Sequence, residues 1–314
     1  MTAAGRVVAL AGGVGGSKLA DGLQVLLGDR LTVIVNTADD TERHGLLVSP
    51  DHDTVMYTLA GLANEEQGWG LRGETWATSA MLERLGEETW FRLGDQDLGV
   101  HIARTRRLRA GERPTAVALH LQRSLGVTAT ILPMTDASVR TRVRTDQGWL
   151  DFQEYFVHRH QEPAVLELEL AGIGTADATP EVLAALDGAD LIVIGPSNPL
   201  VSIGPILAVG GMREAIARAR ARGVTVVAVS GIIGGKAVRG PADRMLTSLG
   251  HDPSALGVAR LYGDVASVFV LDRVDEALAP GVASLGLRPV ILDTLMADRA
   301  GRSRLAGEVL ASVG

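Results

Sequence analysis

Two short apolar runs near the start of the chain each end in small or polar residues, and a helical pattern separates them. The first run covers residues 7–10 and leads into the glycine-rich segment 11–18. Leucines then recur at helical spacing before a second, β-branched run at residues 31–35. Two strands joined by one helix form a right-handed unit of a parallel sheet. The chain is therefore predicted to begin as a parallel α/β fold.

The same unit recurs in the second half of the chain. An apolar run at residues 191–194 leads into Gly195-Pro196-Ser197, and a run at residues 224–229 leads into Ser230, with an Ala- and Arg-rich helical segment between them. In open α/β sheets, ligands bind beyond the carboxyl ends of the strands. The loops that follow these four runs are therefore predicted to form the functional site.

The middle of the chain shows other patterns. Residues from about 55 to 125 have helical periodicity, which predicts a helical insertion. Residues 129–132, 141–144 and 165–170 resemble strands with one exposed face, and these are expected to form a smaller, partly antiparallel β layer. We expect one domain over residues 1–314, a parallel sheet flanked by helices with this insertion and a smaller mixed β layer.

Composition and charge exclude several classes of function. The chain has no cysteine, which excludes disulfides, thiolate metal sites and Cys nucleophiles. A net charge of −7 argues against broad nucleic-acid binding. The first apolar run is too short for a signal sequence or a membrane span, so a cytoplasmic protein without membrane association is expected.

The first glycine loop offers Gly12, Gly13, Gly15 and Gly16, whose N–H groups can approach a phosphate at a helix N-terminus. It does not fit the dinucleotide fingerprint, which needs glycine where Lys18 stands. The second run also ends in Asn36, where a ribose-binding acid is expected, and the Walker pattern fails on order and length. NAD is therefore disfavoured, while a tight strand-to-helix turn remains an alternative to phosphate binding.

Acidic residues occur in three close pairs in the first hundred residues: Asp39 with Asp40, Asp51 with Asp53, and Asp95 with Asp97. Magnesium takes one or two carboxylates and completes its shell with water and substrate phosphate, which suits short Asp-rich loops. We expect Mg²⁺ as cofactor, with Asp53 and Asp40 as its ligands. The alternative is that these residues serve as turn and helix-cap residues.

Two further loops are candidate ligand sites. Residues 231–240 combine glycines with Lys236 and Arg239, which is typical of a phosphate clamp and also of a flexible surface loop. Ser197 and Asn198 can read a base or sugar, or cap the next helix. His158 and His160 are interpreted as the solvated face of a strand. No G-x-S-x-G motif supports a serine hydrolase.

Six blocks of sequence, taken in order, resemble the 2-phospho-lactate transferases of coenzyme F420 biosynthesis, called CofD or FbiA, and the resemblance runs nearly end to end. They read GGVGGSKL from residue 12, NTADD from 36, HGLLVSPDHDT from 44, LGDQDLGVH from 93, GPSNP from 195 and SGIIGGKAVRGPAD from 230.

This resemblance implies a homodimeric, magnesium-dependent enzyme with a modified Rossmann core. Its donor would be a guanosine diphosphate ester of a three-carbon acid and its acceptor Fo, a deazaflavin with a ribityl tail. By motif, Asp53 would lie near the acceptor hydroxyl and the metal, and Arg92 near Fo, while Lys18 receives no catalytic role. The residues implied to hold the nucleotide and its phosphates are Gly12, Gly13, Gly15, Gly16, Asn36, Ser197, Asn198, Gly234, Gly235, Lys236 and Arg239.

Two other functions compete with the transferase. A related family typified by YvcK resembles this fold and binds a nucleotide sugar as a regulator. Its members tend to carry a glycine- and serine-rich segment after ADD, whereas this chain has Thr41-Glu42-Arg43-His44 there, followed by SPDHDT and LGDQD, which resemble acceptor-site blocks. An NAD-dependent dehydrogenase rests only on the Rossmann-like start. Phospholactate, phosphoenolpyruvate and phosphoglycerate share a phosphate and a carboxylate, so the sequence leaves the transferred acid open.

Overall fold

The computed structural model describes residues 5–313. The first four residues and Gly314 of the predicted domain lie outside the described residues. Seven parallel strands form the central sheet, in the order β14-β13-β10-β9-β1-β2-β5. These strands are β1 (Val7–Ala11), β2 (Leu31–Val35), β5 (Thr130–Pro133), β9 (Leu191–Ile194), β10 (Thr225–Val229), β13 (Val268–Asp272) and β14 (Arg288–Leu292).

The chain changes direction across the sheet between β1 and β9. From β1 it adds β2 and β5 on one side, and it then returns to add β9, β10, β13 and β14 on the other. Val7 of β1 pairs in parallel register with Leu31 of β2 and with Leu191 of β9. The loops after β1, β2, β9 and β10 therefore meet at one edge, where ligands of Rossmann-like sheets bind.

Helices cover both faces of this sheet. Val7, Ala9 and Ala11 face one buried cluster, while Val8 and Leu10 face the other, as expected for alternating side chains of a strand. The helices are α1 (Val14–Leu27), α2 (Pro50–Leu59), α3 (Ala77–Arg84), α4 (Asp95–Arg109), α5 (Pro114–Ser124), α6 (Pro180–Asp187), α7 (Gly204–Ala208), α8 (Met212–Ala221), α9 (Ala242–Ser248), α10 (Ala255–Tyr262), α11 (Ala279–Ser284) and α12 (Arg299–Ala311).

Small antiparallel sheets complete the fold. The largest has three strands in the order β7-β6-β8 and packs over Tyr155, Val201 and Met245. The other two are hairpins, one of which carries the loop between β2 and α2. The strands are β3 (Thr41–Arg43), β4 (Leu46–Val48), β6 (Arg140–Thr145), β7 (Gly148–Asp151), β8 (Glu167–Ala171), β11 (Ile232–Ile233) and β12 (Lys236–Ala237).

The parallel α/β architecture, its flanking helices and the smaller β layer are confirmed, with two corrections. Residues 129–132 were expected in the antiparallel layer, but β5 is an edge strand of the main sheet, where Thr32 pairs with Thr130. Ile131 and Leu132 are both buried, so the apparent alternation of this run was misleading. The strand expected at His158 is also wrong, because residues 154–158 form a π-helical turn and the His158 ring stacks on Trp90 at 4.7 Å.

No helix among residues 5–313 has both the length and the apolar character that crossing a membrane requires.

Candidate active site

Asn36 joins three loops at the carboxyl edge of the sheet. It follows β2 and is fully buried, and its amide nitrogen donates to Asp51 Oδ2 at 3.0 Å and to the Val201 carbonyl at 3.3 Å. Its amide oxygen accepts from the Ala38 N–H at 3.0 Å. Asn36 was predicted to bind nucleotide, but its amide group is committed to protein atoms here. Its clearest role is to fix the positions of the surrounding loops.

The first glycine loop packs tightly against the loop after β9. Gly12 N–H donates to Ser197 Oγ at 2.9 Å. A Cβ atom on Gly15 would lie 2.3 Å from the Pro196 carbonyl oxygen, and one on Gly16 would lie 2.5 Å from Ser197 Oγ. The tight turn therefore needs glycine at both positions for packing alone. Phosphate binding by Gly12, Gly13, Gly15 and Gly16 stays a prediction.

Three carboxyl groups lie below this edge in an environment that disfavours their charge. Burial raises the pKa of Asp39 well above its usual range, and neighbouring Asp51 and Asp40 raise it further. Burial also raises the pKa of Asp51 to about 6 and that of Asp40 to about 7. Ser49 Oγ donates to Asp40 Oδ2 at 3.0 Å, while Asp40 Oδ1 has no hydrogen-bond partner among the described residues.

Asp53 behaves differently from these neighbours, although it is also buried. It lies in the first turn of α2, which Pro50 begins, and both of its carboxylate oxygens accept from the Arg104 guanidinium, Oδ2 at 2.9 Å. Burial alone would raise the pKa of Asp53, but the charge of Arg104, aided by His52 and His101, holds it well below its usual range. Asp53 is therefore the carboxylate of these four whose ionised form the neighbouring residues stabilise most.

Helix α4 supplies Arg104 together with Asp97 and His101. These residues follow at i, i+4 and i+7 and are all buried on the face that meets α2. Tyr57 OH on α2 donates to Asp97 Oδ1 at 2.5 Å, and His101 Nε2 lies 3.2 Å from the same oxygen. The Glu74 carboxylate accepts from the Asp97 N–H at 2.9 Å and so caps the start of α4. The two helices thus enclose a polar seam.

Arg104 occupies the position in this seam where a cation would be expected. Asp53, Asp97 and His101 each offer an atom within 4.8 Å of the others, which suits a divalent cation in both charge and donor type. Arg104 Nη1 also lies 3.1 Å from His101 Nδ1. Because arginine can only donate, Nδ1 is the acceptor and the imidazole proton lies on Nε2. Asp40, the other predicted metal ligand, is not part of this group.

The remaining predicted phosphate ligands are spread along the rim. Asn198 caps the turn at residues 199–203 by accepting from the Leu200 N–H at 2.9 Å. Gly234 N–H donates to Asp275 Oδ2 at 3.0 Å, and Gly235 lies beside it in the same turn. Lys236 is largely exposed and pairs with Asp243 at 3.4 Å, whereas Arg239 donates to the Gln67 carbonyl at 2.7 Å. The loop at residues 231–240 is therefore attached to the turn at residues 64–70.

Arg92 lies on the outer side of the seam, next to aromatic residues. Its guanidinium stacks 4.2 Å above the Trp76 ring. Arg43 stacks in the same way over Trp90 at 4.1 Å. This side of the site is therefore lined by flat, partly exposed groups suited to an aromatic ligand.

The sequence analysis gave no role to His101, Arg104 or Tyr57. Asp97 was noted only as one of an acidic pair, and His101 only as the last residue of a conspicuous block. The available signal was the spacing of Asp97, His101 and Arg104, which places three ionisable groups on one helical face.

The sheet order and the buried acidic seam define a Rossmann-like α/β protein with a potential metal site. The family model described as 2-phospho-L-lactate transferase CofD matches residues 7–309, and the chain belongs to this family. It is 40% identical over 301 residues to the 2-phospho-L-lactate transferase of Methanosarcina acetivorans, with 96% of each chain covered. It is 43% identical over 316 residues to the phosphoenolpyruvate transferase of Kitasatospora aureofaciens, covering 98% of this chain and 97% of that relative.

A solved structure shares the fold at much lower sequence identity. The crystal structure of a UPF0052 family protein from Bacillus halodurans superposes with a TM-score of 0.63 and 17% identity, covering 98% of this chain and 99% of that one. This likeness supports the architecture alone.

Proposed function

We propose that this transferase moves a phosphorylated three-carbon acid from its guanosine diphosphate ester to the terminal ribityl hydroxyl of Fo, giving a precursor of coenzyme F420. The family and the relatives at about 40% identity support this reaction over the nucleotide-sugar-binding regulator, because both relatives carry transferase names. The dehydrogenase has no support beyond the sheet order.

The reaction is a substitution at phosphorus. The hydroxyl oxygen of Fo forms a new bond to the phosphorus that carries the acid. The bond from that phosphorus to the bridging oxygen breaks, and GMP leaves with the electron pair. The hydroxyl proton is released to a base or to solvent, and the product is a phosphodiester between Fo and the acid. In such reactions, positioning and charge neutralisation supply most of the catalysis.

The observation that carries the proposal is the ionised, buried Asp53 carboxylate at the carboxyl edge of the sheet. We expect Asp53 to accept a hydrogen bond from the attacking hydroxyl and to aim its oxygen at phosphorus. Because Arg104 holds the pKa of Asp53 low, Asp53 is a weak base. Its role is therefore to orient the hydroxyl rather than to remove its proton early.

Asp53, Asp97 and His101 would hold a magnesium ion, with Asp40 as a further carboxylate ligand. When bound, the ion would supply positive charge that neutralises the phosphate oxygens. Tyr57 fixes Asp97 and Ser49 fixes Asp40 through hydrogen bonds, and Arg104 would have to move off Asp53 for the ion to bind there.

The predicted substrate contacts fit the two sides of the site. The loops that carry Gly12–Gly16, Ser197 and Asn198 meet at the β1/β9 switch point, where we place the guanosine diphosphate. Arg92 and Trp76 would contact the ring of Fo on the outer side. The homodimer rests on the resemblance alone, and the cytoplasmic location rests on the short first apolar run.

The identity of the acid is not decided by family membership. The relatives include transferases named for 2-phospho-L-lactate and for phosphoenolpyruvate, and this chain is about equally similar to both. Such acids differ by small groups that a pocket discriminates weakly.

Mass-spectrometric turnover tests the proposal. Purified protein is incubated with Fo, Mg²⁺ and the guanosine diphosphate ester of each of the three acids, with Asp53→Asn and EDTA as negative controls. Asp264→Asn, which alters an exposed carboxylate, serves as the matched control. We expect a metal-dependent product with one donor, lost in Asp53→Asn and kept in Asp264→Asn. No product with any donor, together with tight binding of a UDP-sugar, would favour the regulator.

A further inference from the structure

Three cationic side chains converge beside the first turn of α1, next to α2. They are Lys18 on α1, Arg239 in the loop at residues 231–240, and Arg302 on α12. All three line a cavity of about 30 Å³ together with Glu65, Thr54 of α2 and Gly68 of the turn at residues 64–70. A protein with a net charge of −7 thus concentrates positive charge at one enclosed point.

Two of these cations lack a carboxylate partner. Arg302 is neutralised, since it donates to Asp21 Oδ2 at 3.1 Å and pairs with Glu65 at 3.0 Å. Lys18 instead donates to the Met296 carbonyl at 3.3 Å, and Arg239 to the Gln67 carbonyl at 2.7 Å. Neither Lys18 nor Arg239 forms an ion pair within residues 5–313.

The three cations differ in burial: Arg302 is buried and Lys18 half-buried, whereas Arg239 is exposed. The pKa of Lys18 is lowered by burial and then by the charges of Arg302 and Arg239. Arg302 is almost completely buried and its Nε atom has no hydrogen-bond partner among the described residues. Uncompensated cations held together in this way favour a bound anion.

The size of the cavity indicates which anion fits. A volume of about 30 Å³ holds one or two waters, and therefore a single carboxylate rather than a diphosphate. Thr54, which lines the cavity, directly follows Asp53 in α2. A carboxylate held here would thus bring the atoms attached to it close to the orienting carboxylate.

We infer that Lys18 and Arg239 bind the carboxylate of the donor's three-carbon acid, with Arg302 as the fixed cation behind them. This inference rests on the proposed function. In 2-phospholactate and phosphoenolpyruvate, the carboxylate and the phosphate oxygen are attached to the same carbon. Holding the carboxylate in the cavity therefore places the reacting phosphorus at its mouth, beside Asp53. The contact recognises what all three donors share, so it selects for an acid ester over plain GDP.

Donor affinity tests this subsite. Dissociation constants for GDP and for the guanosine diphosphate ester of 2-phospholactate are measured by calorimetry on wild type, Lys18→Gln, Lys18→Arg and Arg239→Gln. Arg123→Gln removes an exposed arginine outside the cavity and is the matched control. We expect Lys18→Gln and Arg239→Gln to bind the ester about tenfold or more weakly, since each loses a charged hydrogen bond, and to bind GDP as wild type does. Lys18→Arg and Arg123→Gln should stay close to wild type.

Steady-state kinetics give a second readout. Lys18→Gln should raise the KM for the ester and leave the KM for Fo unchanged, while its melting temperature stays that of wild type. Unchanged ester affinity in both Gln variants overturns the subsite. Equal weakening of GDP and ester also overturns it, because the cations would then bind the diphosphate.

Wild-type turnover in the same preparations separates the two proposals. If wild type forms product but the Gln variants bind the ester as tightly as wild type, the carboxylate subsite is wrong and the proposed transferase activity stands. Wild type that neither binds the ester nor forms product removes both.

Discussion

Arg104 donates to both carboxylate oxygens of Asp53 across the seam between α4 and α2, with each side chain about 6% exposed. This buried fork favours the charged form of one carboxylate in a crowded acidic site. Arg104 lies 51 residues from Asp53 in the chain, so the contact depends on the packing of the two helices.

Removing Arg104 should expose the cost of burying Asp53 alone. Arg104→Gln leaves an unpaired buried carboxylate, and we expect the free energy of unfolding at pH 7 to fall by about 3–5 kcal/mol. Arg104→Lys keeps the positive charge but cannot donate to both carboxylate oxygens of Asp53 in the same way. Its free energy of unfolding should therefore fall by less than that of Arg104→Gln. Because the pair lowers the folded pKa of Asp53, its stabilisation is present above about pH 4 and is lost as pH falls further.

Urea denaturation of wild type and both variants at pH 7 and pH 3 measures this effect. The difference in free energy of unfolding between wild type and Arg104→Gln should be smaller at pH 3 than at pH 7. A gap that is constant with pH would mean that Arg104 stabilises the fold by packing rather than by charge.

Asp40 should show the opposite pH dependence. Its folded pKa is raised to about 7, above an unfolded value of about 4, so wild type loses stability as pH rises between these values. The asparagine side chain in Asp40→Asn keeps an oxygen that can accept a hydrogen bond from Ser49, but the side chain cannot ionise. We expect the variant to be more stable than wild type by about 4 kcal/mol at pH 8 in EDTA, and similar to it at pH 4.

Thermal unfolding at pH 4, 6 and 8 with EDTA checks the Asp40 prediction. Equal melting temperatures of wild type and Asp40→Asn at pH 8 would contradict it.

The first glycine loop should be intolerant of any side chain. Gly15→Ala would place a methyl group 2.3 Å from the Pro196 carbonyl oxygen, and we expect a loss of about 1–3 kcal/mol in unfolding free energy. Gly99→Ala is the matched control, since Gly99 lies in α4 with no described atom outside its own helix within 4 Å of the new methyl group. Gly99→Ala should raise the free energy of unfolding by about 0.5–1 kcal/mol. Similar effects of both substitutions would show that packing does not explain Gly15.

Arg92 should affect the acceptor and not the donor. Its guanidinium stacks on Trp76, and an exposed contact of this type contributes about 0.5–1 kcal/mol. If Arg92 and Trp76 contact Fo, Arg92→Ala should raise the KM for Fo about threefold and leave the KM for the donor ester unchanged. Steady-state kinetics with each substrate varied in turn measure both values. A change confined to the donor would place Arg92 on the other side of the site.

The sheet and the position of its site were predictable because buried parallel strands are short continuous apolar runs. The small or polar residues that follow each run mark the loops that form the site. Val7–Ala11 and Leu31–Val35 are of this kind. The same property misled the assignment of β5, since Thr130–Pro133 has too few residues to show which sheet it joins. Strands β13 and β14 were not anticipated, although β13 is as apolar as β1 and the polar residues Asp272 and Asp293 stand at the ends of these two strands.

The seam was harder to predict than the sheet. Asp97, His101 and Arg104 occur at helical spacing in a helix that also carries Arg106, Arg107 and Arg109. Such a pattern is usually a solvated face, and only the packing of α4 on α2 shows which charges are buried. Asp53 could be predicted as a site residue because it lies in an acidic loop. Its pairing with Arg104 could not, because the two residues are 51 positions apart in the chain and meet only in the folded structure.

Metal affinity tests whether Arg104 and a cation compete for the same carboxylate. Both oxygens of Asp53 accept from Arg104, and Arg104 also faces the Nδ1 atom of His101. Two positive charges a few ångströms apart repel by about 4 kcal/mol in a partly screened site. A cation that takes Asp53 as a ligand must therefore displace this guanidinium.

We expect Arg104→Gln to bind Mn²⁺, a paramagnetic substitute for Mg²⁺, at least about tenfold more tightly than wild type. Asp97→Asn should bind Mn²⁺ more weakly than wild type. Tyr57→Phe should have an affinity for Mn²⁺ about tenfold lower than wild type, because Tyr57 orients Asp97. His120→Gln, at an exposed histidine outside the seam, should match wild type. Titration followed by electron paramagnetic resonance gives each affinity. If Arg104→Gln binds Mn²⁺ more weakly than wild type, Arg104 orients Asp53 for the metal instead of competing with it.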